Sequence, residues 1–165
     1  MRWSIPAAGP LVKLGGWGLA LAALLLVAPI SSSGRAAGDE EAIRQRLVRW
    51  TEAFNDGRWD ELCDLFAPDL IADYQGQPQK SYDSVCSGLL ALEAAPRRYH
   101  YDLDIHEITV SGDLATVRLT WTLTVTGYGI AGEERVVDIG LDVFRKEPDG
   151  IWRISRYVAF PTNGG

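Results

Sequence analysis

One acid in this chain stands where a strand would bury its side chain. Asp142 lies between Leu141 and Val143 in a segment that alternates along Asp138-Ile-Gly-Leu-Asp-Val-Phe144. Strand parity gives Asp138, Gly140, Asp142 and Phe144 one face, and Val137, Ile139, Leu141 and Val143 the other. If the first face is turned inward, Asp142 is a polar contact or a proton carrier in an apolar pocket. If the second is, Asp142 is a solvated acid on a half-buried strand, which is the commoner fate of aspartate.

A second group, His100-x-Asp102-x-Asp104-x-His106, puts four metal-competent side chains on one strand face. Neighbours two apart on a strand are separated by roughly 6.6 Å, so the four cannot share one ion. The pattern is read as a hydrated face opposite Tyr101, Leu103 and Ile105, and no metal is assigned. Arg118, Arg153 and Arg156 could hold a carboxylate ligand, but they are read as neutralising the surface of an acidic domain. The chain has no His-Glu-x-x-His, Gly-x-Ser-x-Gly, Cys-x-x-Cys or phosphate-binding glycine loop, and no cofactor is expected.

The elements that must position these groups begin after an N-terminal segment. Residues 1 to 36 read as an export signal, with Arg2 and Lys13 ahead of the apolar stretch Leu14 to Ile30 and small residues at Gly34-Arg35-Ala36. A periplasmic or secreted protein is therefore expected. The competing reading is a retained membrane anchor, because Leu11 to Ile30 approaches the roughly 20 residues that span a bilayer. Without Arg2, Lys13 and Arg35 the formal charge moves from -6 (16 basic, 22 acidic) to -9 (13 basic, 22 acidic). Such a domain repels phosphate backbones, so nucleic acid is not an expected partner.

Cys63 and Cys86 are an even pair, and an oxidising compartment would permit a bridge between them worth about 3 kcal/mol in the chain-entropy picture. Two small buried thiols are the alternative.

Ile43, Leu47, Trp50 and Phe54 predict a helix from Asp39 to Gly57, with Asp39, Glu40 and Glu41 in its first turn. A shorter helix is expected over residues 60 to 66, a strand over 70 to 74, and a third helix from Ser81 towards Pro96. The period then changes to two, and strands are expected over 99 to 110, 114 to 128, 134 to 146 and 151 to 160, with a flexible tail over 161 to 165. This order predicts one α+β domain over residues 39 to 160 with a mainly antiparallel sheet.

Trp50-Thr-Glu-Ala-Phe-Asn-Asp-Gly57, Leu65-Phe-Ala-Pro-Asp69 and Asp149-Gly-Ile-Trp-Arg-Ile154, in this order, carry a resemblance. The domain resembles the nuclear transport factor two-like superfamily, which includes SnoaL-like polyketide cyclases and ketosteroid isomerases. The resemblance implies a cone: three helices packed on a strongly curved, mixed, mainly antiparallel sheet, with an apolar pocket at one end. In ketosteroid isomerases a neutral aspartate and a tyrosine hydrogen-bond the developing oxyanion, while a second aspartate moves the proton. Matching Leu141-Asp-Val-Phe-Arg145 places Asp142 at the position of the oxyanion-hole acid. Trp50 stands where the tyrosine would be, Tyr74 at the position of the proton-moving aspartate, and Asp73 one residue before it.

Asp142, Asp73 and Tyr74 are therefore the candidate catalytic residues, and Trp50, Trp121, Phe144 and Tyr157 the candidate pocket walls. With the Asp142 face inside, the aliphatic face lies outside and predicts a homodimer through the sheet. Three functions follow: an exported binding protein for a small, mostly apolar molecule; an isomerase- or cyclase-like enzyme moving a proton next to a carbonyl; or a dimeric interaction domain of the cell envelope.

Overall fold

A computed structural model describes residues 32–162. The segment read as an export signal therefore falls largely outside the described residues, and so does the end of the expected tail. Helix α1 spans Ser32–Asn55, and its stripe Ile43, Leu47, Trp50 and Phe54 is buried. It starts a full two turns before the expected Asp39. The small residues Gly34 to Gly38 are tolerated in the helix, so Asp39, Glu40 and Glu41 sit past the first turn and do not neutralise the helix end. Asp39 has a different role: its carboxylate accepts from Lys146 Nζ at 2.7 Å and from the Trp152 indole N–H at 3.1 Å. The helix ends where expected, and Gly57 follows it with φ 73°.

The next segment, Trp59–Leu65, is a 3-10 helix that buries Leu62 and Leu65. Strand β1 (Phe66–Tyr74) follows at once, four residues earlier than the sequence suggests. Pro68 lies inside this strand, in the stretch between Phe66 and Ile71 where pairing to the neighbouring strand shifts register. A proline is accommodated in a strand at such an irregularity because no ladder hydrogen bond is required of it. The two-residue β2 (Lys80–Ser81) leads into α2 (Tyr82–Ala91), which the Ser81 hydroxyl caps, and a short 3-10 turn at Leu92–Ala94 ends the helical region.

Four long strands complete the sheet: β3 (Arg97–Ser111), β4 (Leu114–Gly127), β5 (Glu133–Lys146) and β6 (Trp152–Thr162). The order across it is β2-β1-β6-β5-β4-β3. All pairs are antiparallel except β1 with β6, so the sheet is mixed as well as curved. Strand β6 runs two residues into the expected tail, because Pro161 and Thr162 pair with Asp138 and Val137.

The core lies between the concave face of this sheet and the helices, with Trp50, Phe54, Leu119, Phe144 and Trp152 in one cluster. Two polar ties lock α1 against it. Asn55 Nδ2 donates to the Tyr101 carbonyl at 2.9 Å while its Oδ1 accepts the Tyr101 N–H at 2.8 Å, as a strand partner would, on the edge strand β3. The other is the Asp39 cluster. The Lys146 hydrogen bond is the largest influence on Asp39 and holds its carboxyl below the ordinary 3.8.

A depressed aspartate stabilises the fold above its unfolded-state value, and that contribution is lost as pH falls through the lower folded-state value. Asp39→Asn is accordingly expected to destabilise the protein by about 1–3 kcal/mol at neutral pH. In urea melts the gap from wild type should close as the pH is lowered below about 4. A gap that stays constant down to acid pH would mean that the ion pair contributes nothing.

Candidate functional site

Strand β5 lies between β4 and β6, so a side chain on its concave face has no route to water except through the core. Asp142 is on that face. Its residue exposure is 0%, whereas Ile139 and Leu141 on the opposite face are 44% and 45% exposed. Its cross-strand neighbours are Val117 and Tyr157. Neither carboxyl oxygen has a hydrogen-bond partner among the described residues. Burial pushes the carboxyl well above the ordinary 3.8, so the protonated form is favoured.

Room beside the carboxyl depends on Gly140. A Cβ there would come within 2.8 Å of Leu119 Cδ1 and would lie 3.6 Å from Asp142 Oδ1.

Asp142 and Asp138 border a partly open cavity of about 80 Å³ to which every main element contributes a wall. Trp50 comes from α1, Tyr74 from β1, Tyr101 from β3, Trp121 from β4 and Tyr157 from β6. Val85 and Leu89 of α2 supply an apolar side. The aromatic rings form two groups: Tyr74 and Tyr157 with centroids 5.2 Å apart, and Trp121 against Trp50 at 5.3 Å and Tyr101 at 5.4 Å.

Burial first, then the nearby Asp142 and Asp138, push the Tyr74 hydroxyl up to about 12. Burial likewise raises Tyr157 and Tyr101, so all three phenols stay neutral donors. Asp138 is half-buried and is raised by desolvation.

Four of the expected site residues meet here: Asp142, Tyr74, Trp121 and Tyr157, with Trp50 as a fifth wall. Trp50 offers only its ring, because the indole N–H already donates to the Leu62 carbonyl at 2.9 Å. Two expectations are corrected. Asp73 is exposed and accepts from Gln79 Nε2 at 3.0 Å; alternation on β1 turns Ala72 and Tyr74 inward and Asp73 out. Phe144 shares the face of Asp142 but lies two residues further along, packed fully in the core and not on the cavity wall.

Cys63 and Cys86 form a disulfide, with Cα atoms 5.6 Å apart. It ties the 3-10 helix to α2 beside the wall residues Leu65, Val85 and Leu89. The wall residues that the sequence reading missed include Asp138, Tyr101 and the α2 pair Val85 and Leu89. Tyr101 was placed on the buried face of β3, which was the available signal; its anchoring by Asn55 crosses 46 residues and leaves no local trace.

His100 and Asp102 approach to 3.6 Å, and so do His106 and Asp104, as two separate pairs at the surface. The pairing of β3 shifts between Ile105 and Glu107, which interrupts the four-residue alternation. Among the described residues no three histidine, cysteine or acidic side chains are gathered to hold a metal. Two wider grooves, of about 490 and 480 Å³, flank α1 and β3, and neither contains a buried polar atom that lacks a partner.

The SnoaL-like domain family matches residues 35–158. The chain belongs to the SnoaL-like family. An uncharacterised protein of Mycobacterium tuberculosis is 31% identical to this SnoaL-like protein over 126 residues, covering 73% of this chain and 83% of the relative. Two solved structures share its cone fold. A conserved protein from Planctomyces limnophilus superposes with a TM-score of 0.69 at 20% identity, over 76% of this chain and 99% of that one. A ketosteroid isomerase-like protein from Erwinia carotovora does so with a TM-score of 0.63 at 20% identity, over 76% and 98%. At those identities the structural likeness extends to the fold and not to the activity.

Proposed function

We propose that this SnoaL-like protein is an exported binding protein that receives a small, mostly apolar molecule and seats that molecule's one polar group against Asp142. The observation that carries this reading is the pair of unpartnered oxygens on a fully buried side chain. Buried polar groups are almost always satisfied, and one left without a partner weakens the fold by about 1–3 kcal/mol. A ligand group within reach of Asp142 removes that penalty. Export is supported by the N-terminal pattern of Arg2, Lys13 and the apolar run, and by the disulfide, which suits an oxidising compartment.

The cavity volume sets a limit on the ligand. At about 80 Å³ it is smaller than the ~150 Å³ that holds benzene in an engineered protein cavity. A small fragment fits as the walls stand, and a larger body needs Val85 and Leu89 to give way. They sit on the helix that the disulfide restrains, so the ligand is matched to a wall of limited travel.

A second reading is an isomerase- or cyclase-like enzyme. It is favoured by the neutral Asp142 sharing its cavity with Tyr74 and Tyr157, and by the ketosteroid isomerase-like neighbour. In that reading Asp142 and a tyrosine donate to a carbonyl oxygen while a proton moves next to it. Asp73, exposed and turned away, is not a candidate for the base.

The two readings share one test. Asp142→Leu should raise the melting temperature, because it replaces an unsatisfied carboxyl with an apolar side chain of similar size, and should abolish copurification of any small molecule detected by mass spectrometry in the wild-type protein from its native envelope. Ligand retained in the variant would remove Asp142 from the site. Turnover of carbonyl substrates that is lost in Asp142→Asn would favour the enzyme.

The outer face of the sheet supports a homodimer. Ile139 and Phe160 are direct cross-strand partners, and with Leu141 they form an exposed apolar stripe. Sedimentation at tens of micromolar, on the order of the range where weak interfaces populate, is expected to show a dimer that Leu141→Glu dissociates. A monomeric wild type would contradict it.

A further inference from the structure

We propose that the polar group seated at Asp142 belongs to a protonated amine, so that the cavity is a site for small organic cations with an apolar body. This rests on the reading of the cavity as a ligand site and specifies the ligand's chemistry. Three observations converge on it.

The first is the charge of the walls. Two carboxyls, Asp142 and Asp138, border the cavity, and among the described residues no lysine, arginine or histidine does. An anionic ligand would meet acids with nothing to pair against. The second is the wall material: Trp50, Trp121, Tyr74, Tyr101 and Tyr157 present rings around a small volume. Aromatic faces attract a cation through their quadrupole, most strongly where water is excluded. One such contact is already in place, since Lys80 Nζ lies 4.6 Å from the Tyr74 ring centroid although Lys80 is not itself a wall.

The third is the number of unmet bonds. Both oxygens of Asp142 lack partners. A carbonyl oxygen can only accept from the acid's single O–H and leaves the second oxygen bare. An ammonium has three donors and can meet both.

Burying an ammonium is costly unless its charge is matched. Here the match is the carboxylate that binding itself creates. When RNH₃⁺ enters, Asp142 gives its proton to solvent, and the bound state is the ion pair RNH₃⁺ and Asp142 carboxylate. The groups facing Asp142 are the Tyr157 phenol from β6, the Tyr74 phenol from β1 and Asp138 along β5, with apolar Val117 on β4. None of them is a cation that would compete with the ammonium for the carboxylate. Asp138 is four residues away along β5, about 13 Å, too far to share the same ammonium closely. Its half-buried position suits it to draw cations toward the site, as does the formal charge of -6.

The test is calorimetry on the disulfide-intact protein at neutral pH with shape-matched pairs small enough for the cavity as its walls stand, ethylamine against ethanol and isopropylamine against isopropanol. Each is measured in two buffers of different ionisation enthalpy. The amine of each pair is expected to bind roughly tenfold or more tightly than its alcohol. It should release about one proton on binding, while the alcohol releases none. Asp142→Asn, close to isosteric, should erase both the preference and the proton release.

If the alcohols bind wild type as tightly as the amines, or amine binding releases no proton, the cation inference is overturned and the cavity reading stands. If neither member of either pair binds at about 10 mM, the cavity reading fails with it.

Discussion

A carboxyl enclosed by apolar side chains and aromatic rings, with no hydrogen-bond partner among the described residues, is a liability in any fold. Everything around Asp142 follows from the way the sheet encloses it. Strand β5 is paired on both sides, its alternation sends Asp142 to the concave face, and Gly140 keeps the adjacent position free of a side chain. The helices then close the space above it. Helix α1 is held to the sheet by Asp39 at one end and Asn55 at the other, and α2 is held to the 3-10 helix by the disulfide. The unsatisfied group is therefore supported by ties placed well away from it, the usual arrangement when a local penalty is kept for function.

These ties also explain why the cavity walls come from so many elements. Tyr101 is positioned by a side chain on α1, Tyr74 by the parallel pairing of β1 with β6, and Tyr157 by its register opposite Asp142. A site assembled in this way is rigid on the sheet side. Its adaptable side is α2, where Val85 and Leu89 are only partly buried.

Much of this was legible in the sequence, and the parts that were not have physical reasons. Parity grouped Asp142 with Asp138, Gly140 and Phe144 on one face of β5 but left open which face turns inward, while the helical stripe of α1 was found in full, because both signals are local and periodic. The start of α1 was placed late because Asp39 looked like a helix-end acid, while its partners Lys146 and Trp152 lie more than 100 residues away. Phe144 had the right parity but too deep a position, and parity carries no depth. Asp73 and Tyr74 differed by one residue, and only the pairing of β1 decided which of them turned inward. The Trp50 ring borders the cavity, but the engagement of its N–H by the Leu62 carbonyl leaves no local trace in the sequence.

The account turns on one property of one side chain. The measurement that tests it most directly is a carbon-13 NMR titration of the Asp142 carboxyl in the wild-type protein, assigned by comparison with Asp142→Asn. The account predicts that the resonance of the ligand-free protein remains that of a protonated acid well above the ordinary 3.8, because burial disfavours the carboxylate. An Asp142 resonance that ionises at the ordinary carboxylate value would contradict it, because a carboxyl that ionises normally is solvated or partnered and has no need of a ligand.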